Sequence, residues 1–175
     1  HAFYHRIVSN DLHSKNNPFI YNNERLEFLG DSVLGMVTAK YLFQSLSKTK
    51  EGDLSKIKSV VVSEKILAPI AVRLGLDKLL VLGHGEEITG GRSKPAILAD
   101  CMEAVIGAYF IDSGFDSVEK YILSFIIPEI NTVLLNGTKD YKTQLQEEVQ
   151  KKLKATTEYK LISETGPEHQ KNFTV

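Results

Sequence analysis

Glu24, Glu27 and Asp31 stand at i, i+3 and i+7 in a stretch that is otherwise largely apolar. At about 100° per residue on a helix, those positions fall within roughly 60° of one another and form one acidic ridge. Leu26, Phe28, Leu29, Val33 and Leu34 mark much of the same helix as buried. Carboxylates in a row repel, and burying them is costly unless they are paired or bound to a cation. The ridge asks for a metal.

A second segment repeats the pattern. Residues 97–110 are apolar nearly all round, as in a core helix, and their only charges are Asp100 and Glu103 at i, i+3. Two core helices with small acidic faces can bring those faces together. Hard oxygen ligands suit Mg²⁺ or Mn²⁺, and carboxylate-held divalent ions commonly serve phosphoryl chemistry.

The run Asn23-Glu24-Arg25-Leu26-Glu27-Phe28-Leu29-Gly30-Asp31 resembles the signature motif of the ribonuclease III family. Ser93 to Gly114, with Ile97-Leu98-Ala99-Asp100 and Glu103-Ala104 inside it, resembles that family's second acidic motif. Gly52-Asp53-Leu54-Ser55 and Gly90-Gly91-Arg92 match family patterns in the expected order. The resemblance covers most of residues 1 to 135. It implies an all-α ribonuclease III endonuclease domain, with Glu27, Asp31, Asp100 and Glu103 as both its metal ligands and its catalytic residues.

Composition sets outer bounds. A chain of 175 residues can hold one good core, or one domain and part of another. No apolar run reaches the length of a membrane span, and the N-terminus lacks a signal-peptide shape. His1 opens the sequence without an initiator Met, which reads as the remainder of a longer chain. The lone Cys101 excludes an intramolecular disulfide and fits a reducing cytoplasm. Although it lies between Asp100 and Glu103, a soft thiolate suits a hard cation poorly, so Cys101 reads as core packing. A net charge of −1 argues weakly against nucleic acid. Local patches decide binding, however, and acids gathered at a metal site leave the remainder more basic.

Along the chain, residues 2–8 read as a short helix and 13–23 as a loop in which Asn22 or Asn23 can cap the next helix. That helix is expected from Glu24 to Leu46. Asp53 is a cap signal for a helix carrying Leu54, Ile57, Val60, Val61 and Leu67, with Pro69 expected to kink or divide it and Gly75 to stop it. Gly83-His84-Gly85 and Gly90-Gly91 mark a flexible connection before the Asp100 helix, and a further helix is expected over about 117–135 after the turn at Ser113-Gly114. No internal repeat or low-complexity tract is visible.

Residues 136–139 read as a linker. Beyond them, a helix over 141–154 and alternating segments at 159–161 and 172–175 resemble the opening of a double-stranded RNA-binding domain, an α+β fold. Asp140-Tyr141-Lys142-Thr143, Leu145-Gln146-Glu147 and Gly166-Pro167-Glu168-His169 carry that match. The third strand, second helix and lysine cluster of such domains are not in this sequence, so residues 140–175 are expected to be only its N-terminal part. The resemblance places Thr143, Gln146, Gln150 and His169 against the RNA minor groove, where neutral donors and acceptors read shape rather than sequence. Lys142, Lys151, Lys152 and Lys154 suit either phosphate contacts or an ordinary solvated face.

Other residues carry two readings each. Glu24 and Glu51 correspond to auxiliary acids near the family's catalytic valley, or are plain helix-end and surface charge. Phe28 is either a core aromatic or, as the resemblance implies, a dimer contact inserted into a second subunit. Arg92 and Lys94 are weaker phosphate-binding candidates, while His5 and His84 lack metal-ligand spacing.

The expected activity is Mg²⁺-dependent hydrolysis of double-stranded RNA to 5′-phosphate and 3′-hydroxyl ends, with Mn²⁺ able to substitute. The enzyme would act as a cytoplasmic homodimer in rRNA maturation and RNA processing, including mRNA. Hydrolysis adds negative charge to an already anionic phosphorus centre, which a carboxylate-held cation offsets. Three alternatives stand beside it, one of them a compact relative that works without an RNA-binding domain, which the match over residues 140–175 opposes. A catalytically inactive, structural double-stranded RNA-binding relative is opposed by the four retained carboxylates. A helical phosphohydrolase of small molecules fits the acids but not the other motifs.

Overall fold

A computed structural model describes residues 1–5, 22–136, 149–154, 162–165 and 172–174. The chain divides into two units, His1–Thr138 and Lys139–Val175.

In the first unit, helix α1 spans Glu24–Ser45. Asn22 starts it: its Oδ1 accepts from the Glu24 N–H at 3.2 Å, and its Nδ2 donates to Glu24 Oε2 at 2.8 Å. Glu24 and Glu27 fall in the first turn, where negative charge suits the helix dipole. Gly30, Val33, Leu34, Val37, Thr38 and Leu42 form the buried stripe.

Helices α2 (Glu51–Val61) and α3 (Glu64–Arg73) replace the single helix expected across Leu54 to Leu67. Lys50, not Asp53, is the extended residue that opens α2, so Gly52 and Asp53 lie inside its first turn. The break falls at Ser63, whose backbone is extended and whose Oγ donates to the Val60 carbonyl at 2.7 Å. Pro69 does not divide the helix. It sits on the exposed side of α3, where water can reach the carbonyl its missing N–H leaves unpaired.

Gly75 turns the chain at φ 74 before the short helix α4 (Leu76–Leu79). The glycine-rich stretch that follows is built rather than slack. It contains α5 (His84–Ile88) and a 3₁₀ turn at Gly91–Ser93. Arg92 clamps it, donating from Nη1 to the carbonyls of Asp77 and Leu80 at 2.9 and 2.8 Å and from Nε to Glu87 at 2.7 Å. Lys94 pairs with Glu86. Both cations therefore serve the fold here.

The central helix α6 runs Pro95–Asn136 and is interrupted at Gly114, where φ 76 and ψ 178 are non-helical. Its first arm buries Ile97, Leu98, Ala99, Cys101, Met102, Ala104 and Ile106, and its second buries Val118, Ile122, Ile126 and Ile130. The α1 stripe and α3 pack on it. An edge-to-face contact joins Tyr109 to Tyr121 across the interruption, and a second joins Tyr121 to Phe125 within the second arm. Lys40 of α1 ties to Glu119 of the second arm at 2.8 Å.

Residues 1–5 are not helical. Tyr4 forms a parallel bridge with Val81: the Val81 N–H donates to Phe3 O at 2.8 Å, and the His5 N–H to Val81 O at 3.1 Å. Tyr4 O also accepts from the Asn23 N–H at 2.8 Å. The opening segment is thereby fixed to the start of α1.

In the second unit, residues 149–153 are helical, and strands β1 (Ser163–Thr165) and β2 (Asn172–Thr174) pair antiparallel with Glu164 opposite Phe173. The strand expected at 159–161 lies outside the described residues. No helix among the described residues is long and apolar enough to cross a membrane.

Candidate metal centre

Two glycines let α1 and α6 touch backbone to backbone. A Cβ added to Gly30 would fall 1.7 Å from the Glu103 carbonyl oxygen, and one added to Gly107 would fall 2.2 Å from that of Leu26. Neither position has room for any side chain. Glu27 lies one turn before Gly30, and Glu103 one turn before Gly107, so the crossing that needs glycine also aligns the two acidic faces. Neither glycine was marked by sequence reasoning, although a glycine inside an apolar helix is itself a signal of close backbone approach.

The result is a cluster of half-buried carboxylates. Ligand oxygens of Glu27, Asp100 and Glu103 lie within 4.8 Å of one another. Oxygens sharing one Mg²⁺ stand about 3–4 Å apart, so small side-chain adjustments would bring these onto one ion. Asp31 lies outside that trio and is exposed, yet its charge reaches Glu103. Burial, then the charges of Asp31, Asp100 and Glu27, push the Glu103 carboxyl from the usual 4.5 up to about 8. Metal-free, this group holds its proton at neutral pH; a cation would displace it. The donor set therefore fits a hard divalent ion.

Cys101 does not belong to the set. Its thiol is fully buried and pushed up to about 12, first by burial and then by Asp100, so a thiolate is unavailable at neutral pH. His5, Asn23 and Glu24 border a cavity of about 200 Å³ together with Glu27 and Asp100. Asn23, which the sequence offers as a cap and as the first residue of the signature motif, does not cap the helix with its side chain; Asn22 bonds the Glu24 N–H instead.

The remaining candidates fall elsewhere. Glu51 accepts from Ser55 Oγ at 2.7 Å and lines a separate groove with Ala39, Leu42 and Phe43. Phe28 is 77% exposed and takes no part in its own chain's core. It borders a concavity of about 660 Å³ with Arg25, Leu29 and Ile111. Gln150, Lys151, Lys152 and Lys154 are exposed, whereas Lys142, Thr143, Gln146 and His169 lie outside the described residues.

Comparison with known proteins gives a consistent result. A family model described as ribonuclease-III-like matches residues 1–130. Ribonuclease 3 of Treponema denticola is 51% identical over 173 residues, spanning 98% of this chain and 69% of that protein. Ribonuclease 3 of Bacillus velezensis is 42% identical, spanning 98% and 68%. Among solved structures, the nuclease domain of ribonuclease III from Campylobacter jejuni is similar, with a TM-score of 0.64 and 42% identity. The match covers 72% of this chain and 82% of that one, whose description concerns a region involved in dimer formation.

Proposed function

The chain belongs to the ribonuclease III family of endoribonucleases, and from that premise we propose that it hydrolyses double-stranded RNA with a divalent cation held by Glu27, Asp31, Asp100 and Glu103. One observation carries the metal assignment: three half-buried carboxylates from two helices, with ligand oxygens within 4.8 Å of one another. A bound cation would offset the charge that builds at phosphorus and acidify the attacking water. The chain's own part is to hold the acids rigidly. Gly30 and Gly107 set the helix spacing, and the half-buried setting limits competing water. Glu103 gives up its proton when the cation binds, so occupancy rises with pH.

Mg²⁺ is the expected ion and Mn²⁺ its substitute, since both take oxygen ligands. The products are 5′-phosphate and 3′-hydroxyl ends, and the roles are rRNA maturation and RNA processing in the cytoplasm. Phe28 joins two copies into a homodimer, which places equivalent sites across one duplex, one for each strand. Its exposure beside Leu29 and Ile111 supports that role. Residues 1–135 form the endonuclease domain and 136–139 a linker. Residues 140–175 form the N-terminal part of a double-stranded RNA-binding domain, with Thr143, Gln146, Gln150 and His169 toward the RNA. Glu24, which shares a cavity with Glu27 and Asp100, is an auxiliary acid. Glu51, in its separate groove with Ala39, Leu42 and Phe43, is the second auxiliary acid.

The test is cleavage of a long RNA duplex, with and without Mg²⁺, against single-stranded RNA as control. Mg²⁺-dependent cutting of the duplex alone is expected. Equal cutting of both RNAs would refute the substrate assignment.

A further inference from the structure

Asn23 is almost completely buried, at 1% exposure, and its Nδ2 has no hydrogen-bond partner among the described residues. Its backbone is fully committed. The N–H donates to Tyr4 O at 2.8 Å, and the carbonyl accepts from the Glu27 N–H at 2.8 Å. Its side chain is not the helix cap, because the Asn22 carboxamide takes the Glu24 N–H instead. A buried NH₂ group without a partner is costly and rare, so this one calls for a ligand.

The surroundings identify that ligand. Asn23 borders the same cavity as His5, Glu24, Glu27 and Asp100. At about 200 Å³ it has room for several waters, each needing polar partners, which these walls supply. Three of the walls are carboxylates, acceptors that favour the NH₂ end of the amide facing them. Donors behind metal-binding carboxylates fix their rotamers and strengthen the site.

We infer that Asn23 is a positioning residue of the metal centre, its buried NH₂ group orienting Glu27 and Asp100 toward the cation through water held in the shared cavity. This rests on the divalent-metal reading above. It also gives the opening segment a task, since Tyr4 fixes the Asn23 backbone and His5 closes the cavity wall.

The experiment is Mn²⁺ titration of the whole chain without RNA, followed by electron paramagnetic resonance, on wild type, Asn23→Ala, Asn23→Ser and Glu103→Gln. Circular dichroism and thermal melting report folding separately. Asn23→Ala keeps both backbone hydrogen bonds and is expected to weaken Mn²⁺ binding about tenfold or more, with an altered resonance line shape. Asn23→Ser retains a short donor and a good helix-start residue, and should fall between wild type and Ala. Should the Ala protein fail to fold, the Ser protein decides, with a loss of about threefold or more expected. Wild-type affinity and line shape in the folded Asn23 variant, with weakened binding in Glu103→Gln, would overturn the role of Asn23 and leave the metal reading standing. Mn²⁺ binding indifferent to Glu103→Gln would overturn both.

Discussion

Replacing Glu103 with Gln should stabilise the metal-free protein, and the gain should grow with pH. Burial and the charges of Asp31, Asp100 and Glu27 raise the Glu103 carboxyl from 4.5 to about 8. Between those values the folded state keeps a proton that the unfolded state releases. Stability therefore falls as pH rises through that window, with no penalty below about 4.5 and the full penalty above about 8. At about 1.4 kcal/mol per pKa unit, the full rise would correspond to about 5 kcal/mol. The side chain keeps partial contact with water, so screening brings this to roughly 2 kcal/mol. For a domain of this size that is on the order of 4–8 °C in melting temperature. The assay is thermal unfolding in chelator from pH 5 to 8.5. Wild type and Glu103→Gln should melt together at the acid end and separate progressively toward pH 8.5, with the variant higher. Added Mn²⁺ should then raise the wild-type melting temperature and leave the variant nearly unmoved. Parallel pH curves for the two proteins would refute the claim that burial and its acidic neighbours hold Glu103 protonated.

Three further outcomes are expected. Gly107→Ala places a Cβ against the Leu26 carbonyl, so it should cost more than about 3 kcal/mol or prevent folding, measured by urea unfolding. Phe28→Ala should leave unfolding within roughly 0.5 kcal/mol of wild type, while weakening the dimer at least about 30-fold in sedimentation. A strongly destabilised but fully dimeric Phe28→Ala protein would place Phe28 in its own core instead. Ending the chain before Asp140 should weaken duplex binding and flatten its salt dependence, since fewer phosphate counterions are released, while low-salt cleavage survives. Unchanged binding at physiological salt would remove residues 140–175 from RNA recognition.

The acids were legible because charge is rare in apolar helices: Asp100 and Glu103 stand out against Ile97, Leu98 and Met102 without any coordinates. Helix α1 was legible for the same reason, since its 3.6-residue stripe is local. What sequence could not supply was the reason the faces meet. Gly30 and Gly107 are informative only once the Glu103 and Leu26 carbonyls are seen pressed against them. The Ser63 break was hidden because Pro69 is a louder signal, yet its exposed position on α3 makes it harmless. Arg92 looked like a loop cation because its acceptors are mostly backbone carbonyls twelve and fifteen residues away. The N-terminal segment looked helical by composition, whereas its pairing with Val81 is a tertiary fact.

The central claim, that carboxylates from α1 and α6 act together through a divalent cation on duplex RNA, is tested most directly by Mg²⁺ dependence under single-turnover conditions. Wild type and Asp100→Asn are compared on one long duplex at saturating protein. Wild-type cutting should vanish in chelator and return with Mg²⁺, and Asp100→Asn should need at least about tenfold more Mg²⁺ for half-maximal rate. Cleavage that persists in chelator, or an identical Mg²⁺ dependence in the two proteins, would contradict it.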